Sequence, residues 1–250
     1  MIVIACYNIK GGVGKTTTAI NLSYLAAREG ARTLVWDLDP QGAASFYFRI
    51  KPRLKRAKRL VRGQGDIDDY IKGTDYENLD LLPADFSYRN MDLLLEQQKK
   101  ATRRLRKILA NISKDYDYVF LDCPPSISLV SENIFAAANI LLVPTIPTIL
   151  SLRTLEQLIK FFKNKQISRQ AIMPFFSMVD LRKQLHRQIT ERPPQVLAPF
   201  LNTGIHYASV VEQMGTHRAA LPEYAGSSRA AQAYDKLWCE IKAAYAEAHS

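Results

Sequence analysis

The chain has 250 residues, 47% of them hydrophobic, with a formal net charge of +10 and three scattered cysteines. These figures suit one globular domain with a sizeable core in a reducing compartment; they exclude a disulfide-rich scaffold, and without a C-x-x-C pair a zinc site is not expected. No apolar run approaches the ~20 residues of a membrane span, and the apolar start is too short for a signal peptide.

Ile2 to Tyr7 reads as a buried strand. It runs into Lys10-Gly11-Gly12-Val13-Gly14-Lys15-Thr16-Thr17, and a helical pattern follows from Thr16 to about Glu29. Strand, glycine-rich turn and helix form the setting of a phosphate-binding loop. Glycines let backbone N–H groups approach phosphates, and the helix N-terminus adds partial positive charge. In such a loop Lys15 reaches the β- and γ-phosphates and the Thr16 hydroxyl ligates magnesium. The strict pattern has a first glycine where this chain has Ile9, and here the loop carries a second lysine, Lys10. Ala19, Ile20, Leu22, Leu25 and Ala26 form the inner stripe of the helix, and Gly30 stands where its C-terminal cap is needed.

Thr33 to Trp36 is a second buried strand, leading into Asp37-Leu38-Asp39-Pro40-Gln41-Gly42. Acids at the carboxyl end of a parallel strand sit where open α/β sheets bind ligands. The positive charge follows next. Eight basic residues and no acid fall between Arg49 and Arg62, and the remainder of the chain carries 26 basic against 24 acidic residues. A polyanionic partner is the natural inference, nucleic acid before an anionic membrane. Ile50, Leu54, Ala57 and Val61 are spaced as a helical stripe, with Pro52 in the first turn and Gly63-Gln64-Gly65 at the close, so a short basic amphipathic helix is expected. Three readings stand for this segment: a solvated surface insertion, a nucleic-acid contact through Arg53, Lys55, Arg56, Lys58 and Arg59, or a dock for an acidic partner or membrane surface.

Asp66 to Lys72 reads as one or two helical turns, and Leu79 to Leu82 as a short strand. Leu93 to Ile112 reads as one long helix with Leu105, Ile108, Leu109 and Ile112 inward; Lys99, Lys100, Arg103, Arg104, Arg106 and Lys107 mostly face outward. Val119 to Leu121 is a strand ending at Asp122, followed by Cys123-Pro124-Pro125-Ser126. An apolar strand ending in an acid is an arrangement that holds magnesium through water. Cys123 reads as a small buried side chain. Ile140 to Val143 and Ala171 to Met178 are further strands. Between them lies a helix with Leu152, Leu155, Leu158, Ile159 and Phe162 inward; after them comes one with Leu181, Leu185 and Ile189 inward and Arg182, Lys183, His186, Arg187 and Arg192 around it. The last helix, about Ser228 to Ala248, places Tyr234, Leu237, Trp238, Ile241 and Tyr245 on one stripe suited to packing on a sheet.

The loop at 10–17, the string Asp37–Gly42 and the string Asp122–Ser126 together resemble the deviant Walker A ATPases of the ParA/MinD family, and the resemblance runs from end to end. It implies an α/β fold: one doubly wound, mostly parallel twisted sheet flanked by helices, as a single domain over 1–250 with a basic insertion at about 49–65. It implies ATP and Mg2+ as cofactors. Lys10, Gly11, Gly12, Val13, Gly14, Lys15, Thr16 and Thr17 would surround the phosphates, Thr16, Asp37 and Asp122 the magnesium, and Met178 the adenine. Asp39 would place the attacking water, and Lys10 would cross an ATP-bound homodimer to the opposite γ-phosphate. Relatives that bind DNA nonspecifically use basic residues in the region of Arg182 and Lys183. The second arginine they commonly carry in the next loop is missing from Ile205-His206-Tyr207-Ala208-Ser209-Val210-Val211, which leaves Arg49–Arg62 or Arg218 as substitutes.

The activity so implied is slow ATP hydrolysis stimulated by a ParB-like or cargo-adaptor protein, by a cytoplasmic, nucleoid-associated enzyme that positions a plasmid, a chromosome or a protein assembly. A MinD-like membrane-associated ATPase is one alternative; Asp235, Glu240 and Glu247 in the tail weigh against it. A nucleotide-binding adaptor without turnover is another; Lys10, Lys15, Asp39 and Asp122 weigh against that. A metal-cluster carrier on the same loop would need paired cysteines bridging a dimer, and neither Cys123 nor Cys239 is placed for that.

Overall fold

Seven strands make one sheet: β1 (Ile2–Cys6), β2 (Thr33–Asp37), β3 (Lys72–Gly73), β4 (Leu79–Leu82), β5 (Tyr118–Asp122), β6 (Ile140–Thr145) and β7 (Ala171–Phe176). Their spatial order is β3-β4-β2-β5-β1-β6-β7, parallel throughout except for the edge pair β3–β4. A computed structural model describes every residue except 53, 55–56, 63, 98–100, 166–170, 195–197 and 249–250.

Both faces of the sheet are covered, which is why the strands read as continuous apolar runs. Val3, Ala5, Leu34, Trp36, Val119 and Leu121 point to one face. There they meet α3 (Ala57–Arg62), α4 (Met91–Glu96), α5 (Arg104–Ala110), α6 (Leu129–Ala137) and α7 (Ile149–Asn164). Ile4, Cys6, Val35 and Phe120 point the other way. They meet α1 (Lys15–Arg28), α2 (Ala43–Tyr47) and, after α8 (Gln184–Glu191) beyond the β7 edge, the run α9 (Ser209–Glu212), α10 (Met214–His217), α11 (Leu221–Ala225) and α12 (Arg229–Glu247).

Local chemistry sets the ends of α1 and α12. Gly30, at φ +91°, closes α1: its N–H donates to the Ala27 carbonyl and that of Ala31 to Ala26, the paired bonds of a Schellman cap. Ser228 starts α12 by accepting the Ala231 N–H, and Tyr234, Leu237, Trp238 and Ile241 are then buried against the sheet and α1. The reading of the tail as core holds.

Four expectations need correcting. The long helix expected over 93–112 is not continuous. Among the described residues it is α4, a 3-10 turn at Ala101–Arg103, and α5. Asn133 of α6 makes the break: its Oδ1 accepts the N–H groups of Arg104 (2.7 Å) and Leu105 (3.3 Å), and its Nδ2 donates to the Ala101 carbonyl (2.6 Å). A side chain that caps a fresh helix start competes with the continuing helix. In the basic segment the described helix α3 spans Ala57–Arg62, and the buried residues among those described are Leu54, Leu60 and Val61. The segment is thus anchored in the core rather than a wholly solvated insertion. In the helix after β7, Leu181 and Leu185 are exposed, and His186 takes the inner place beside Ile189. The turn expected over 66–72 is confined to a 3-10 turn at Asp68–Tyr70, after which the chain adds the antiparallel edge strand β3.

Candidate functional site

Strands β1, β2 and β5 end together. Cys6 pairs in register with Asp122, and Asp122 with Asp37. Two carboxylates therefore stand side by side at the carboxyl edge, directly under the glycine loop that leaves β1.

The loop is held from three strands. The Asn8 side chain donates to the Pro144 carbonyl at the end of β6 (2.9 Å) and accepts the Lys10 N–H (2.9 Å). Ser177, just beyond β7, donates to the Val13 carbonyl (2.9 Å), and Val13 itself is buried. Gly12 and Gly14 adopt φ of +69° and +90°, where side chains are rarely tolerated. Nothing lies within 4 Å of a Cβ built on Gly11, Gly12 or Gly14. The loop therefore curves around open space. Helix α1 begins at once, and no side chain caps its N-terminus. Free N–H groups and the positive end of a 14-residue helix face that space.

Lys15 is 7% exposed, and its Nζ donates to the Lys10 carbonyl (3.1 Å). Burial lowers its pKa, against the pull of Asp122. Lys10 is half-buried; its ammonium lies 3.4 Å from the Ser151 hydroxyl, in the first turn of α7. Asp122 is fully buried, and neither of its carboxylate oxygens has a hydrogen-bond partner among the described residues. Burial, reinforced by Asp37, pushes its pKa well above the usual range, while the Thr16 hydroxyl nearby pulls it down. Asp37 is buried too. Its Oδ2 accepts the Ser45 N–H (2.8 Å) and hydroxyl (2.7 Å) at the start of α2, while its Oδ1 has no partner. Burial pushes its pKa up to about 6. Asp39 is half-buried in the following turn, where its side chain accepts the Gln41 N–H (2.9 Å). The thiols of Cys6 and Cys123 are buried and pushed up in pKa, so neither is a nucleophile.

A buried carboxylate without a partner costs several kcal/mol as an anion, on the order of a full desolvation penalty. Asp122, with neither oxygen partnered, beside Asp37, with one oxygen unpartnered, and near a threonine, forms an incomplete cation site. Among the described residues no group of three or more His, Cys, Asp or Glu is gathered for a metal. Mg2+ keeps several waters and takes one or two carboxylates plus the oxygens of a bound phosphate, and Asp122, Asp37 and Thr16 offer such a set. The loop, Lys15 and the uncapped helix supply the anion side, so the residues fit a magnesium-bound nucleoside triphosphate.

Met178, the candidate for the base, has φ +52° and lines a narrow cleft with Gly14, Thr17, Ser177, Tyr207 and Val211. The cleft continues from the loop, so Met178 joins the site. Asn8, Ser45, Ser151 and Ser177 are site residues that sequence reasoning misses. Their signals are single polar residues at strand or helix ends, a feature shared by most turns.

The basic candidates do not converge. Lys58 and Arg59 are exposed on α3, with Arg59 donating to the Gln64 carbonyl (3.1 Å). Arg53, Lys55 and Arg56 lie outside the described residues, as do Lys99 and Lys100. Arg182 forms a two-bond pair with Asp180 (2.9 and 3.0 Å), and Lys183 beside it is exposed. Arg218 lies on the opposite face of the sheet from α3: its Nε donates to the Phe46 carbonyl (2.9 Å) and its guanidinium stacks 4.5 Å from the Phe46 ring. Arg218 is thus a structural tie.

A family model described as an AAA domain matches residues 1–173. Chromosome-partitioning ATPase Soj of Treponema pallidum is 33% identical over 246 residues, covering 94% of this chain and 95% of its own length. Sporulation initiation inhibitor protein Soj of Bacillus subtilis is 30% identical over 248 residues, covering 96% and 98%. Among solved structures, cobyrinic acid a,c-diamide synthase from Mycobacterium smegmatis with bound ADP and magnesium aligns at a TM-score of 0.76 with 26% identity, covering 90% of this chain and 93% of that one. Apo McdA from Cyanthece aligns at 0.82 with 21% identity, covering 96% and 99%, which is a likeness of fold.

Proposed function

Because the chain belongs to the ParA/MinD family of P-loop ATPases, we propose that it is a ParA-like positioning ATPase that works as an ATP-bridged homodimer on DNA. One observation carries the nucleotide reading: the unpartnered carboxylate of Asp122 stands beside Lys15 and next to Asp37, whose Oδ1 is unpartnered too, under an open glycine loop and an uncapped helix. ATP and Mg2+ complete that set of charges.

In this reading the N–H groups from Gly11 to Thr17 and the Lys15 ammonium bind and neutralise the phosphates. Thr16, Asp122 and Asp37 hold magnesium, which when bound draws charge from the phosphates and fixes them for in-line attack. Asp39, at the mouth of the site in a turn tied to α2, orients the attacking water. Met178 packs beside the base. Among the described residues the Lys10 ammonium makes one long contact, to Ser151, so its charge can cross to a second subunit's nucleotide. A ligand touched by both subunits makes dimerisation depend on ATP, and a dimer doubles the surface offered to DNA. Turnover, stimulated by a ParB-like or cargo-adaptor protein, releases it. The protein then works in the cytoplasm on the nucleoid.

The membrane alternative draws no support from α12. Its four large buried side chains each contribute about 1.5–3 kcal/mol to folding. Lifting them onto a bilayer would strip the apolar cover from one face of the sheet and expose it to water.

The test is equilibrium binding to random-sequence duplex DNA with ATP, with ADP and without nucleotide, at two salt concentrations. Binding that needs ATP and weakens steeply with salt is expected. The Asp39→Ala variant should bind ATP, dimerise and stay on DNA without turnover. DNA binding that ignores the nucleotide, or hydrolysis by Asp39→Ala at the parent rate, would refute the reading.

A further inference from the structure

We propose that the DNA contact of this protein is a composite face made by α3 and α5. The inference rests on the DNA-binding reading above and locates its surface. Two basic stretches that are far apart in the chain are brought side by side by the fold. Helix α3 packs against α5, and Leu60, Val61, Leu105, Ile108 and Leu109 share one buried cluster. Arg104 joins the two: its Nε donates to the Val61 carbonyl (2.8 Å) near the end of α3. With the apolar residues turned inward and Arg104 used as the tie, Lys58, Arg59 and Arg62 on one element and Arg103, Arg106 and Lys107 on the other are all exposed. Neither residues 57–62 nor residues 101–110 contain an acid. The nearest acids in sequence are Asp66 and Asp68 after α3, Glu96 ahead of the 3-10 turn and Asp115 after α5; burial raises the Asp68 pKa, with Asp66, Asp115 and Asp69 adding to it.

Among the described residues the other arginine candidates are already matched within the chain, while Lys183 stands alone beside one of them. Arg182 is paired by two bonds to Asp180, and Arg218 is spent on Phe46. Arg49 is paired with Asp75 and donates to the His217 carbonyl. A phosphate backbone gains most from cations that give up little to meet it, and on α3, α5 and the 3-10 turn before α5 the loss is at most the bond from Arg59 to the Gln64 carbonyl. Two short rigid helices carrying lysine and arginine without aromatic or amide readers suit contacts to phosphates rather than to bases, and hence DNA of any sequence.

The experiment uses the full chain with a slowly hydrolysed ATP analogue and random-sequence duplex DNA over a series of salt concentrations. Two triple variants are compared with the parent: Lys58→Gln/Arg59→Gln/Arg62→Gln and Arg103→Gln/Arg106→Gln/Lys107→Gln. All six side chains are exposed, and the melting temperature and analogue affinity check that fold and nucleotide site survive. Each variant is expected to bind DNA at least about tenfold more weakly at ~0.1 M salt, with a slope of log affinity against log salt shallower by about 0.9 for each phosphate no longer neutralised. Lysine at positions 59, 62, 103 and 106 should restore binding. If the parent binds and both triple variants match its affinity and slope, the face is wrong while the DNA reading stands. If the parent binds DNA in no nucleotide state, the DNA reading itself fails and the face with it. Loss of binding to vesicles of phosphatidylglycerol, with DNA binding intact, would assign the face to a membrane and overturn the proposal.

Discussion

The strand ends and the arginine-rich surfaces treat charge in opposite ways. At the ends of β2 and β5, carboxylates are buried without enough partners, and a lysine is buried with only a carbonyl. Around α2, α8 and α10, Arg49, Arg182, Arg187 and Arg218 are half-buried or exposed, yet each has found an acid, a carbonyl or a ring inside its own chain. The first arrangement is unstable alone and is explained by a ligand. The second is complete alone and needs none. An unsatisfied buried group is therefore the better guide to a binding site than a high local charge.

The largest test of this contrast is Lys15→Ala. Lys15 is a cation buried against Asp122, so its removal should weaken ATP binding at least about a hundredfold by calorimetry, the scale of a buried charge-assisted hydrogen bond. Normal affinity would mean that the loop is only a turn. Next is Asp122→Asn. It removes a buried carboxylate that has no partner, so the nucleotide-free protein should melt at the same temperature or a few degrees higher, where ~1 kcal/mol gives about 2–4 °C in a domain of this size. The same variant should lose most of the extra stability that magnesium adds to the ATP complex. A nucleotide-free protein that melts lower would show that Asp122 is a structural partner, and the contrast would fail.

How far the sequence shows this in advance differs between the two regions. The loop, the acids at 37, 39 and 122 and the parallel strands that carry them are legible because each rests on short-range signals: glycines before a helix, acids after apolar runs. The strand Leu79–Leu82 and the start of α12 fall where periodicity places them. The break in the helix over 93–112 is hidden because its cause, Asn133, lies 29 residues beyond Arg104. Leu181 and Leu185 read as an inner stripe by spacing, yet a buried histidine holds that place through a bond to the turn before it. The arginines read as available because sequence shows charge without its partner. Arg218 meets Phe46 across 172 positions, and no local pattern records that.

A smaller effect is expected from Asp180→Asn. Asp180 is held down to a pKa of about 2, chiefly by its hydrogen bonds from Arg182, so the guanidinium is neutralised at neutral pH. Exposed pairs are weak competitors, and freeing Arg182 should tighten DNA binding only about two- to threefold at ~0.1 M salt. A gain of tenfold or more would show that Arg182 is a principal contact held in check, and the ranking of the basic surfaces would invert.

The smallest effect lies one turn further on. His186 is 4% exposed and its Nδ1 accepts the Asp180 N–H (3.1 Å), a bond open only to the neutral ring. Burial lowers its pKa, with Lys183 adding to the effect and Asp180 opposing it. The unfolded chain takes up that proton near pH 6.5, the folded chain only at lower pH, so this group's contribution to stability is lost as pH falls through about 6.5. Asp37 acts in the opposite sense: raised to about 6, it destabilises the nucleotide-free fold as pH rises from about 4 through 6. The two trends overlap in the parent protein, and a single melting profile would mix them. The difference between the parent and His186→Asn separates them, because asparagine can accept the same N–H without titrating. That difference should be near zero at pH 7.5 for the titrating part and grow toward pH 5, by at most about 4 °C. A pH-independent difference would mean that His186 serves by shape alone, and that the turn bearing Arg182 is as indifferent to protons as the rest of the arginine-rich surface.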